Sequence, residues 1–215
     1  MRKTILGAAA VGAAALLSIV AVQAQNGDLA TPGTKDASKA TAGTYTVDPG
    51  HTLVQWKVNH FGFSDYFGMF GDVKGTLKLD PANVGASQLD VTIPVSKVVT
   101  ASAGLTGHLL KPAAEGAAAD FFGAAPADAT FKSTSVTAKG ADSATIVGNL
   151  TLNGVTKPVT VEATFTGAGK HPYNMKETVG FSGKARIKRS DFGINYGIGA
   201  VTDTVDLEIA AAFEK

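Results

Sequence analysis

Three histidines are the first residues in this sequence whose chemistry could define a site, because three imidazoles can bind zinc. His51 and His60 are nine positions apart, so they would lie on opposite faces of an ideal strand. Neither has an acidic residue directly beside it. The spacing of His51, His60 and His108 therefore predicts no metal site. We expect these side chains to hydrogen-bond to backbone groups, with contact to a ligand head group as the alternative.

A second chemical pattern is Ser190-Asp191 in "IKRSDFGIN". No G-x-S-x-G nucleophile turn accompanies it, and no glycine-rich phosphate loop supports a kinase-like reading of "DFG". The chain has no cysteine, which excludes cysteine nucleophiles and zinc–thiolate sites. No catalytic residue is predicted. Arg189 ends an apolar strand, where it would pair with a phosphate or carboxylate head group or form a salt bridge with Asp191 or Asp203.

The elements that would position these residues are strands, because apolar and polar residues alternate along most of the chain. The pattern covers Tyr45 to Asp48, Ala129 to Val136 and seven other runs. Asn153-Gly154 predicts a type I′ turn between two of the strands. The apolar positions of those seven runs begin at Val54, Val73, Leu89, Ile146, Val159, Phe181 and Val205.

One segment, Ser102 to Asp120, interrupts the strands. It predicts a short helix around Leu105 to Leu110, which Pro112 would end. Many antiparallel strands with little helix favour a sandwich or a closed barrel.

Glycines at inward strand positions favour the barrel. Gly75, Gly148 and Gly183 would allow the sheet to bend and would leave space inside it. We therefore predict an all-β fold, a closed antiparallel barrel of about eight strands with one helical insertion. A barrel of that size can hold one small ligand.

An aromatic, glycine-rich corner from His60 to Gly71 lies between two of the strands. Glycine lets the backbone bend and approach closely there. The rings would plug one end of the barrel, line the mouth through which a ligand enters, or do both. They are Phe61, Phe63, Tyr66, Phe67 and Phe70.

The first 24 residues resemble a secretory signal peptide, with Arg2 and Lys3 before an apolar run and "VQA" at the cleavage site. Cleavage would begin the mature chain at Gln25, and the alternative is an uncleaved membrane anchor. Residues 1–24 hold two of the 19 basic residues and none of the 18 acidic ones, so the remainder has a formal charge of −1. That balance predicts no nucleic-acid partner. Residues 25–43 lack aromatic residues and predict a flexible linker, and residues 44–215 form one domain.

The segment "YTVDPGHTLVQWKVNHFGFSDYFGMFGDVKGTLKLD" resembles the opening of the YceI-like family. Its later landmarks follow in order from Val98 to Asn195, and the resemblance covers Tyr45 to Lys215. Thr52 stands where the family usually has serine. The landmarks are "VVTASAGLTGHLL", "DFF", "ATFKSTSV", "VGNLTLNGVTKPVTV" and "IKRSDFGIN".

The resemblance implies a periplasmic lipocalin-like barrel that holds a long isoprenoid lipid, such as a quinone or a polyprenyl phosphate, and no established enzyme activity. No other cofactor is expected. Head-group contacts are expected from His60, His108 and Arg189. We expect the apolar lining and mouth to comprise Val54, Trp56, Val58, Phe61, Phe63, Phe67, Phe70, Gly75, Leu77, Leu89, Val91, Ile93, Leu105, Leu109, Phe121, Phe131, Gly148, Leu150, Phe165, Phe181, Gly183 and Ile187.

Transport or storage of that lipid is the first functional hypothesis. The second is an enzyme that acts on it, which would need His60, His108 and Asp120 to converge on one pocket. The third is a stress-response protein whose barrel is filled by its own side chains. A homodimer through an added sheet edge or a shared barrel mouth stays open, and the sequence identifies no inner-membrane or delivery partner.

Overall fold

The structure, a computed structural model, describes residues 31–215. The signal-peptide prediction and the start of the linker therefore lie outside the described residues. The strands of the described part are β1 Gly43–Val47, β2 Leu53–His60, β3 Ser64–Phe70, β4 Lys74–Leu79, β5 Gln88–Ile93, β6 Val99–Thr100, β7 Ala129–Ala138, β8 Ser143–Leu152, β9 Val155–Lys170, β10 Glu177–Lys188 and β11 Thr204–Glu214.

Eight of these strands close into a barrel. Each pairs antiparallel with its neighbour in the order β1, β4, β5, β7, β8, β9, β10, β11. Strand β1 then pairs back to β11, with Thr46 opposite Glu214 and Val47 opposite Phe213. The predicted all-β barrel is therefore confirmed.

The three strands outside that ring are joined to it through β11. One edge of β11 pairs with β1 near Phe213 and with β2 from Asp206 to Ala210. Strand β3 then pairs with β2, and the two-residue β6 pairs with β3. Because β1 and β2 share one edge, the chain must bend between them, and Thr52 lies in this bend.

The hydroxyl of Thr52 replaces a strand partner at the bend. It donates to the backbone oxygen of Ala212 at 3.2 Å and accepts from the backbone nitrogen of Ala212 at 3.1 Å. The position therefore needs a buried hydroxyl, which both serine and threonine supply.

The predicted turn and helix are both present. Asn153 and Gly154 have φ angles of 52° and 77°, as a type I′ turn requires. The helix α1 spans Ala103–Leu109, and the Ser102 hydroxyl accepts a hydrogen bond from the backbone nitrogen of Leu105 at its N-terminus.

The register defines two ends of the barrel. We call one the strap end; it comprises residues 31–42, the β4–β5 loop (80–87) and the β7–β8 loop (139–142). The other is the hairpin end, formed by the Asn153–Gly154 turn, the 189–203 segment, the β2–β3 turn and the segment carrying α1.

Residues 31–42 lie against the barrel, although composition predicted a flexible linker for residues 25–43. Thr34 exchanges two backbone hydrogen bonds with Ala168, at 3.1 and 2.9 Å. Strand β9 is long, and its pairing with β8 ends at Thr164, so the edge around Ala168 is free to accept another segment. Lys35 also forms a 2.5 Å ion pair with Asp142 in the β7–β8 loop. Pairing to a free strand edge has no compositional signature.

Candidate ligand cavity

The barrel encloses a cavity of about 270 Å³. Its wall is almost wholly apolar because the inward positions of the alternating strands face it. Several residues predicted to bind a ligand line this cavity: Val54, Leu77, Leu89, Val91, Ile93, Phe131, Leu150, Phe165, Phe181 and Gly183.

The cavity is long relative to its volume. On β8 its lining runs from Ser143 to Leu150, roughly 23 Å along the strand at 3.3 Å per residue. At the strap end the lining includes the solvent-exposed Gly140 and Ala141, so the cavity reaches the surface there. Toward the hairpin end, a cluster of buried side chains closes it: Phe131, Leu150, Val159 and Phe192.

Three aromatic rings form one side of the wall. Phe165 and Phe181 pack edge to face with centroids 5.8 Å apart, and Phe181 and Phe213 do so at 6.2 Å. Such edge-to-face pairs fix the ring orientations. They give the cavity a rigid aromatic surface beside aliphatic strands.

The opening at the strap end carries one ionisable lining residue, Asp142. Hydrogen bonds from Lys35 and Ser143, with the lysine's charge, lower the pKa of the Asp142 carboxyl. The carboxylate is therefore ionised and paired at neutral pH. Among the described residues, no lysine, arginine or histidine lines the cavity.

The three inward glycines have different roles. Gly183 lines the cavity, and a Cβ there would lie 3.2 Å from Val161. At Gly148 a Cβ would lie 2.4 Å from the ring of Phe131, so that ring already occupies the space that the sequence predicted to be empty. Gly75 has a φ of 137° and faces the β5 backbone, with a Cβ placed 2.1 Å from the Asp90 oxygen. Close approach explains Gly75 and Gly148, and neither lines the cavity.

Trp56, Val58, Phe67 and Phe70 were predicted to face the ligand, but they lie outside the cavity lining. A Cβ on Gly68 would be 2.2 Å from Trp56 Cζ2, so the indole lies over Gly68 of β3. The indole Nε1 is buried and has no hydrogen-bond partner among residues 31–215. Val58, Phe67 and Phe70 belong to the same β2–β3 pair, which lies outside the eight-strand ring.

None of the five rings of the aromatic corner lines this cavity. Phe61 and Phe63, at the β2–β3 turn, are 57% and 91% exposed. The backbone nitrogen of Phe61 donates to the backbone oxygen of Ala200 at 2.7 Å, which places the turn at the hairpin end. The opening of the cavity is at the strap end. The turn therefore lies at the end opposite the opening, and alternation gives no information on which end is open.

Arg189 is a structural residue and does not reach the cavity. It is only 6% exposed, and burial lowers the pKa of its guanidinium. It donates to four backbone oxygens, those of Ile194, Tyr196, Val201 and Thr202. The guanidinium thus orders the 193–202 loop. Arg189 therefore makes neither the expected head-group contact in the cavity nor a salt bridge to Asp191 or Asp203. Asp203 instead accepts hydrogen bonds from the backbone nitrogen and the hydroxyl of Ser190.

His108 lies in a small aromatic cluster at the hairpin end. Its Nε2 is 2.7 Å from Oδ2 of Asp120, and its ring packs edge to face on Phe121 and Tyr196. This contact ties α1, with Leu105 and Leu109, to the 120–122 segment. His60 pairs with Val201 at the same end. Neither histidine lines the cavity, so the expected head-group contacts are not found there.

The metal and enzyme alternatives considered for the histidines can be compared with the same geometry. His51 Nδ1 lies 2.6 Å from Asp48 Oδ2, an acidic partner three residues away that adjacency did not reveal. Within the described residues, no group of three or more His, Cys, Asp or Glu side chains is placed to hold a metal. His60, His108 and Asp120 do not converge on the cavity. Ile187 packs on the cluster that closes it.

Sequence reasoning missed two kinds of lining residue. The first kind carried the same alternation and was simply left out; it includes Ile146, Val161, Ala185, Leu207, Ile209 and Phe213. The second kind lies in loops and in the 31–42 segment, where no periodic signal exists; it includes Ala37, Ala40, Pro81, Val84 and Ala141.

Comparison with known proteins agrees with this architecture. The family model "YceI-like domain" matches residues 45–213. A "UPF0312 protein" of Ectopseudomonas mendocina is 38% identical over 172 residues, which cover 79% of this chain and 86% of the relative. Within residues 31–215, no helix is long and apolar enough to cross a membrane.

Two solved structures share the fold. Burkholderia cenocepacia BcnA superimposes with a TM-score of 0.65 at 25% identity, covering 77% of this chain and 98% of that one. A polyisoprenoid binding domain from Saccharophagus degradans has a TM-score of 0.57 at 15% identity, with 79% and 97% covered. The closed eight-stranded barrel and the family match over residues 45–213 together show that the chain belongs to the YceI-like domain family.

Proposed function

We propose that this protein is a periplasmic carrier or store for a long-chain isoprenoid lipid held inside the barrel, and that residues 1–24 are a cleaved signal peptide. The observation that carries the proposal is the apolar cavity that opens at the strap end. The structural similarity to the polyisoprenoid binding domain from Saccharophagus degradans supports this ligand class.

The energetics of the cavity favour an apolar chain. Each buried methylene contributes roughly 0.8 kcal/mol, so several isoprene units offset the ordering costs of binding with few polar contacts. The volume of about 270 Å³ is near the lower end of ligand pockets. Affinity should therefore rise with each added isoprene unit until the cavity is full and then level off.

The same cavity argues for binding rather than catalysis. Asp142 is the one titratable residue in its described lining, and a general acid–base mechanism needs convergent groups at the reacting atoms. The existence of the cavity also argues against a barrel filled by its own side chains.

Native mass spectrometry of protein purified without detergent tests the proposal. We expect a retained isoprenoid mass, one per barrel, that is lost on organic extraction and regained with added lipid. A protein that emerges empty and takes up no long-chain isoprenoid would rule out the carrier role. The same spectrum counts subunits and so tests the homodimer.

A further inference from the structure

The segments at the opening of the cavity carry equal numbers of positively and negatively charged side chains. The three segments that form the strap end carry three lysines, Lys35, Lys39 and Lys139, and three aspartates, Asp36, Asp80 and Asp142. Only Asp142 among these lines the cavity. A ligand head group at the opening therefore meets no excess of positive charge.

Two of the three lysines at this end are already engaged. Lys35 Nζ lies 2.5 Å from Asp142 Oδ2, and Lys39 Nζ donates to the Thr34 hydroxyl at 2.9 Å. The second oxygen of Asp142 accepts from the Ser143 hydroxyl at 3.2 Å. The carboxylate is thus fixed at the opening, with Lys35 held to it.

Phosphate groups are poorly matched to this arrangement. A phosphate monoester carries about −1.5 to −2 charges at neutral pH, and proteins bind it with arginine or lysine donors. Here it would approach an ionised carboxylate without a cation from the lining. A carbonyl, phenol or alcohol needs only neutral hydrogen-bond partners. At the same opening the Gln88 amide can donate or accept, and the Ser143 hydroxyl, which donates to Asp142, can still accept.

We propose, building on the lipid-binding function above, that the isoprenoid held by this barrel has an uncharged head group of the quinone, phenol or alcohol class, and that Asp142 is the residue that disfavours a phosphate. The specificity comes from the opening, whereas the apolar wall accepts either kind of tail.

Two probes with one tail isolate the head group. Geranylgeraniol and geranylgeranyl monophosphate displace the neutral fluorophore N-phenyl-1-naphthylamine from delipidated protein at pH 7 and low salt. We expect the alcohol to displace it at a concentration at least tenfold lower. Asp142→Asn should lower the ratio of the two displacing concentrations at least threefold, because the phosphate should then bind more tightly. Differences between the free probes cancel when the ratios of the two variants are compared.

Asp90→Asn is the matched control. Asp90 lies on β5 outside the cavity lining and pairs with Lys132, so the variant removes the same charge and should leave the ratio unchanged. A wild-type protein that prefers the phosphate, or an Asp142→Asn ratio equal to that of Asp90→Asn, would overturn the head-group inference alone. Displacement by neither probe would overturn the lipid-binding function and the inference with it.

Discussion

The Thr52 hydroxyl both donates to and accepts from the backbone of Ala212, at 3.2 and 3.1 Å, across 160 residues of sequence. Thr52→Val keeps the shape and leaves the Ala212 N–H without this partner. We expect it to lower the free energy of unfolding by about 1–3 kcal/mol, measured by urea denaturation. Thr52→Ser keeps the hydroxyl and should lose less. Equal losses in the two variants would mean that packing, not the hydroxyl, matters at this bend.

Gly148 and Gly183 should respond differently to an added methyl group. Gly148→Ala pushes a Cβ against the Phe131 ring and the Lys132 oxygen, and we expect overpacking to cost about 1–3 kcal/mol. Gly183→Ala adds its methyl group to the cavity wall and should weaken lipid binding more than stability. Urea midpoints and lipid displacement together check both. A Gly148→Ala protein with normal stability would show that Phe131 moves aside readily.

Trp56 fluorescence should be nearly insensitive to the ligand's tail, because the indole lies on Gly68 and outside the cavity lining. Phe181→Trp in a Trp56→Phe background places the only indole in the wall of the cavity. We expect its emission to shift or quench with a saturable curve on titration with a long-chain isoprenoid. The reverse pattern, in which Trp56 responds and Trp at 181 does not, would place the ligand elsewhere.

Arg189 should contribute to stability without affecting ligand affinity. Arg189→Lys cannot reproduce the donors to four carbonyl oxygens, and each lost charge-assisted bond is worth about 1.5–3 kcal/mol. We expect a large drop in the urea midpoint and unchanged lipid displacement. Arg186→Lys is the control, since Arg186 is exposed and contacts Asp206 alone among acidic groups of the described chain; its effect on the midpoint should be small. Weaker lipid binding in a folded Arg189→Lys protein would show that Arg189 does contribute to binding the head group.

The mature N-terminus should be Gln25. The basic start, the apolar run and "VQA" at Val22 to Ala24 motivate this. N-terminal sequencing of protein from the periplasmic fraction checks it. Recovery of a chain that starts at Met1 from the membrane fraction would identify the segment as an anchor.

Alternation predicted the strands and much of the cavity wall, whereas the choice of a barrel over a sandwich depended on the inward glycines. Val91, Leu150 and Phe181 face the cavity because side chains on a strand alternate between its faces. The same rule gave the inward side of β2, but only Val54 lines the cavity, whereas Trp56 lies over Gly68 of β3. Local pattern specifies a face, and only the pairing of distant strands specifies a position along the barrel axis.

The polar residues were harder to predict for the same reason. Arg189 at the end of an apolar strand is equally compatible with a ligand phosphate and with the carbonyl oxygens of its own loop. Asp142 gave no signal, because its importance depends on Lys35, which lies more than 100 residues earlier in the chain. The opening of the cavity is assembled from three segments that have no periodicity in common.

The sharing of β11 among β10, β1 and β2 has a kinetic consequence. The pairs that close the ring join residues 46 and 47 to residues 214 and 213, and contacts of such high sequence separation make folding slow. Strand β1 can pair with β4 and β2 with β3 earlier, but each lacks its second partner until β11 is in place. Folding of this barrel should therefore end with a late, all-or-none closure, and trimming the C-terminal strand should leave an open, aggregation-prone sheet.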